Sequence, residues 1–209
     1  MTHSAKADFI SAWHLFTRHW RELVTAELVL FALWVILELS VVAVSRLAAA
    51  AGWIPAGIAV NVALHAAFLL VFSGFLVGLH RIALDIVDGG APTLITLTHF
   101  LKIGPAYLLA LTLYGLAVIA GSLALVLPGI YLAVRFAFFG QILASRKASA
   151  VSALRDSAAL SAGRWWSTFV LLFFALALNL LGAAILGLGF FVTFPVTLLA
   201  ATLRFRRCT

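Results

Sequence analysis

Cysteine occurs once in this chain of 209 residues, as Cys208, which excludes an internal disulfide and leaves too few sulfurs for a thiolate metal site. Charge is also scarce: Asp, Glu, Lys and Arg make up 10% of the residues, against about a quarter in soluble domains. No polar stretch is long enough for a water-soluble domain. No Gly-rich phosphate loop, His-Glu-x-x-His pair or Gly-x-Ser-x-Gly elbow occurs. A haem clamped between two histidines needs a pair at one depth, and only His65 lies deep in an apolar run. The expectation is a non-enzymatic protein with no catalytic residues, cofactor or metal.

What the chain does have is apolar sequence. Hydrophobic residues make up 65% of it and the mean hydropathy is +1.17, so the bilayer is its solvent. The fold class expected is an all-α integral membrane protein, one membrane domain over 1–209. Apolar runs at 23–47, 55–79, 105–127, 129–145, 168–186 and 188–203 are near or above the roughly 20 residues needed to cross about 30 Å of hydrocarbon. Leu127-Pro128-Gly129 and Gly187-Leu188-Gly189 read as the turns of two tight helical hairpins. The first run is not a signal peptide, because it far exceeds an apolar region of about 7 to 15 residues and contains Glu27 and Glu38.

The cations are sorted to one side. Lys6, Arg18, Arg21, Arg81, Lys102, Arg146, Lys147, Arg155, Arg164, Arg204, Arg206 and Arg207 all fall before the first run, after an even-numbered one or at the C-terminus. Arg46 alone faces the other side, and Arg135 lies inside a run. Because cytoplasmic loops retain Lys and Arg, this pattern predicts six transmembrane helices, both termini cytoplasmic, in a cell (inner) membrane. The formal charge of +7 sits in short stretches beside apolar ones, which points to anionic lipid headgroups as partners, with other membrane proteins possible, and excludes nucleic acid.

Before the first run, Phe9, Trp13, Phe16, Trp20 and Leu23 recur at steps of four and three, with Arg18 and Arg21 on other faces. Residues 1–22 are thus an amphipathic helix, expected to lie in the plane of the cytoplasmic surface, with packing under the protein's own loops as the alternative. Weaker versions precede the third run (Leu94, Leu97 and Leu101, beside His99 and Lys102) and the fifth (Val151, Leu154 and Ala158, beside Arg155 and Asp156). A unit of in-plane helix and hairpin would then occur three times. The expected cytoplasmic interface comprises Trp13, Trp20, Arg18, Arg21, His80, Arg81, Arg164 and Trp165. Gly74 and Gly78, beside Ser73, have the small-xxx-small spacing of helix packing. His80, Asp85 and Asp88 suit a solvated helix end better than a metal or phosphate site, and Glu27 reads as an anchor near water.

Few polar groups lie within the runs. At about 1.5 Å per residue, Glu38, His65, Arg135 and Asn179 fall roughly 13, 15, 9 and 12 Å below the outer surface. They form a candidate intramembrane polar cluster in which Glu38 and Arg135 are expected to touch. Two readings stand: an ion pair that fixes helix packing, or an outward-facing pocket that binds a small solute or relays protons.

Leu127-Pro-Gly-Ile-Tyr-Leu-Ala-Val-Arg-Phe-Ala-Phe, followed by Ala153-Leu-Arg-Asp-Ser-Ala-Ala-Leu-Ser-Ala-Gly-Arg-Trp-Trp, resembles a group of uncharacterised bacterial membrane proteins. That group includes the YciC-type proteins and the membrane domain fused to some glycerophosphodiester phosphodiesterases. Gly78-Leu-His-Arg-Ile-Ala-Leu-Asp-Ile-Val-Asp-Gly-Gly resembles it too, and the likeness covers residues 75–207. It implies a six-span bacterial inner-membrane protein and brings no activity. The function expected is a scaffold, assembly or accessory module; the alternative is a small-solute transporter or channel component.

Overall fold

In a computed structural model the chain is described over residues 5–146, 148–185 and 187–209; Lys147, Leu186 and the side chain of His99 lie outside the described set. The described secondary structure is helical, without a strand. Helix α1 (Ala5–Ala50) is broken at His19, whose backbone leaves helical geometry (φ −121°, ψ 24°). Thr17, in the turn before, donates its hydroxyl to the His14 carbonyl (2.9 Å), a back-bond of the kind that bends helices. Helix α2 (Ile54–Val87) returns antiparallel to it, with Pro55 in the first turn, where its missing N–H costs nothing.

A short helix α3 (Thr96–His99) and a 3₁₀ turn (Leu101–Ile103) lead into α4 (Gly104–Ala124). They run against Gly74 and Gly78 of α2, so the small-residue stripe receives an irregular backbone rather than another long helix. A Cβ added at Gly78 would lie 2.6 Å from the Leu97 Cα, and one at Gly74 would lie 2.7 Å from the Leu101 Cα. Ser73 closes the junction by donating to the Gly104 carbonyl (2.9 Å).

The second hairpin turns at Leu125, which is extended (φ −166°, ψ 147°), three residues before the expected Pro-Gly. Pro128 and Gly129 instead fall inside α5 (Val126–Arg135). Proline fits there because a first-turn N–H has no helical acceptor, and Gly129 allows the close approach of Ser122 on α4. The run 129–145 is not one rod: α5 stops at Arg135 and α6 (Phe139–Ser145) restarts after three residues.

That break is buried against α7 (Ala150–Ala162), and α7 supplies what the backbone loses. Ser157 Oγ accepts from the Phe138 N–H (3.0 Å), which in a continuous helix would bond the Val134 carbonyl. The same hydroxyl donates to the Arg135 carbonyl (3.0 Å), and Ser161 Oγ lies 3.2 Å from that carbonyl. Helix α7 therefore buries Ala150, Ala153, Leu154, Ser157 and Ser161 and turns Val151 outward, a different face from the one expected.

Helices α8 (Trp165–Ala184) and α9 (Phe190–Cys208) form the third hairpin, turning at Gly187 in the left-handed region (φ +74°), where glycine costs least. Each hairpin is preceded by a short or amphipathic segment. Burial is graded along them. Residues 12–30, 73–86 and 195–205 supply much of the core, while the hairpin tips are bare, with Trp53 70% and Leu127 77% exposed. Five segments are long and apolar enough to cross a membrane: Ala5–Ala50, Ile54–Val87, Thr96–Ala124, Val126–Ser145 and Trp165–Ala184. Helix α9 is not among them; Arg204, Arg206 and Arg207 crowd its last turns.

Replacing Ser157 by alanine strands the Phe138 N–H in a dry interior. The expected cost is about 1–3 kcal/mol, read as a lowered unfolding midpoint in detergent, with faster amide exchange at Phe138 than at neighbours two turns away. Unchanged exchange at Phe138 would mean that the hydroxyl is not what holds the break.

Candidate functional site

The cations gather where the hairpins meet. Asp8, in the first turn of α1, is 0% exposed, and Arg204 of α9 is 4% exposed. Arg204 Nε donates to Asp8 Oδ2 (2.7 Å), and Arg207 closes on the other carboxylate oxygen. Arg206 pairs with Asp88 at the end of α2, and Arg164, just before α8, donates to the Arg207 carbonyl (2.7 Å). Arg146 pairs with Asp156 (2.5 Å), and Arg81 with Asp85 one turn on (2.9 Å). Both chain ends, the end of α2 and the start of α8 thus share one base.

Most acids at this base are consumed by internal pairs, so the surplus is positive. Arg18, Arg21 and Arg155 are exposed and make no ion pair among the described residues. Trp13 and Trp20 are each 49% exposed, with the Arg21 guanidinium over the Trp20 ring (5.6 Å). The N-terminal helix is rotated from its expected setting: Asp8, Ala12 and Phe16 face the core, and Ile10, Trp13 and Trp20 look out. It is docked on its own bundle along one side and carries amphipathic aromatics on the other.

Two half-buried residues expected at the interface, His80 and Trp165, make contacts within the bundle. His80 packs against Gly140 of α6 and the Tyr107 ring (5.8 Å), its Nδ1 on the Leu76 carbonyl (2.8 Å). Trp165 stacks on Phe169 (5.4 Å) and donates from Nε1 to the Tyr131 carbonyl (3.3 Å). Glu27 is also not at a wet end: it is 7% exposed and neither carboxylate oxygen has a hydrogen-bond partner among the described residues.

The four intramembrane polar residues do not converge. Arg135 donates to the Tyr131 hydroxyl (2.6 Å) and sits over that ring, and among the described residues no ion pair joins it to Glu38. His65 is exposed and bonds the Asn61 carbonyl of its own helix (2.8 Å), and Asn179 donates to Thr197 across the third hairpin (3.0 Å). Similar calculated depth did not mean proximity, because the outer halves of the hairpins bury few residues. The central pair, Asp8 with Arg204, went unseen; the available signal was an acid in line with Ala12 and Phe16 at helical spacing. No group of three or more His, Cys, Asp and Glu among the described residues could hold a metal ion.

Set against family models, curated proteins and solved structures, the chain finds no match.

Neutralising one partner of the buried pair, by Asp8→Asn or Arg204→Met, is expected to cost about 3–5 kcal/mol, while Asp8→Leu with Arg204→Met costs less than either single change. Glu38→Gln and Arg135→Gln, which touch no common partner, should add within about 0.5 kcal/mol. Reversible unfolding in mixed micelles measures both cycles, and coupling in the second but not the first would reverse the assignment.

Proposed function

We propose that this chain is a six-span, non-enzymatic module of the bacterial inner membrane that gathers anionic lipids, and with them other membrane proteins, on a basic cytoplasmic face. Kinship with the YciC-type proteins belongs to the same proposal. The observation that carries it is the shared base. Contact of Asp8, near the start of the chain, with Arg204 and Arg207, near its end, supports an even number of spans. Helix α9, with 19 residues, is roughly 28 Å long, and its three arginines fall at one end, where they pair with Asp8 and Asp88 at that base.

Exposed Arg18, Arg21 and Arg155 then lie at the lipid surface, and on the N-terminal helix Trp13 and Trp20 are exposed with Arg18 and Arg21, the pairing of charge and amphipathic ring suited to that boundary. Solute carriage through Glu38, His65, Arg135 and Asn179 has less to support it, since each is occupied separately or stands apart.

In this reading the native Cys208 reacts with a membrane-impermeant maleimide in inverted vesicles and not in intact spheroplasts. Changing Arg18, Arg21 and Arg155 together to Gln should lower retained phosphatidylglycerol in a salt-dependent way, each charge contributing about 1 kcal/mol, or roughly fivefold. Labelling of Cys208 from outside, or lipid retention indifferent to both salt and substitution, would remove the proposal.

A further inference from the structure

Glu27 differs from the acids at the base. Those have arginine partners, while Glu27, about two turns beyond the His19 break, is more than nine-tenths buried with both oxygens unpartnered among the described residues. It lines a groove of about 320 Å³ where α1, α2 and α9 meet. The groove wall is aromatic: Phe31 and Trp34 from α1, Phe72 from α2, and Phe190, Phe191 and Phe194 from α9. Phe31 meets Phe191 edge to face (5.8 Å) and Phe190 stacks on Phe194 (5.1 Å), which fixes the walls. Phe31, Trp34 and Phe190 are exposed at the mouth.

An acid inside a membrane segment is expensive and is retained where something answers its charge. Here no described residue does so, and the surrounding rings present π faces that attract cations. The volume suits a small ligand. Among the lining residues there is no Lys or Arg, so nothing would meet a phosphate, which argues against an amine-bearing phospholipid. We propose that this groove binds an amphipathic organic cation, an ammonium or phosphonium on an apolar body, with Glu27 as counter-charge and Trp34 and the phenylalanines as its cage.

The test measures equilibrium binding of radiolabelled tetraphenylphosphonium to the full chain in phosphatidylglycerol nanodiscs, with tetraphenylborate as an anion of the same shape. Saturable cation binding is expected, weakened at least about tenfold by Glu27→Gln and about threefold or more by Trp34→Leu, the second variant keeping the carboxyl in place. Tetraphenylborate binding should not weaken in Glu27→Gln. Absence of saturable binding, equal cation binding by wild type and Glu27→Gln, or an anion response parallel to that of the cation would overturn the assignment. Including phosphatidylethanolamine should change the affinity less than about twofold; competition by about tenfold would give the groove to that lipid and likewise overturn it.

Discussion

Asp8 and Arg204 are separated by nearly the whole chain, yet they share a site with almost no water. Either charge alone in that interior would cost several kcal/mol, and their attraction offsets this only because Arg207 closes on the same carboxylate. The pair seats α9 between α1 and α2, which in turn lets Arg206 reach Asp88 and Arg164 reach the last turn of the chain. The first and third hairpins, which could otherwise drift in lipid, are held at a common base. The surface surplus of arginines arises from the same arrangement, since most acids at the base are spent on internal pairs.

A second constraint acts on the backbone. In hydrocarbon an unpaired N–H or carbonyl costs several kcal/mol, so a broken helix survives only where protein supplies the missing partners. The break between α5 and α6 is tolerated because Ser157 donates and accepts at once, and Ser161 stands beside the same carbonyl. Helix α7 is therefore committed to packing inward: the side chains that would make it amphipathic on the membrane surface are the ones spent on this junction.

The all-helical class and the long apolar segments were legible because they rest on local composition. What was not legible depended on distance through space. Nothing near Asp8 in sequence announces Arg204. The Pro128-Gly129 signal suits a turn, but proline is equally at home in a first helical turn and glycine in a tight crossing, and only the extended backbone of Leu125 separates the cases. Glu38 and Arg135 invite pairing because two costly charges at one depth ought to meet. Tyr131, a single turn from Arg135, offered a nearer partner.

Why the hairpins bury so little at their tips follows from the solvent. Lipid tails are as apolar as leucine, so helices gain nothing by hiding apolar surface from them and stay together only where backbones approach closely or polar groups bond. Within each hairpin such contacts reach the tip: Gly57 against Ala48, Gly129 against Ser122, Gly182 against Gly189. Between elements of different hairpins the close contacts lie deeper, at Gly74 and Gly78 with the segment before α4, and at Gly140 with His80. Each tip is thus joined to its own partner strand of helix and to little else of the chain. The exposed leucines and aromatics there are the face that the bilayer, or another membrane protein, is left to cover.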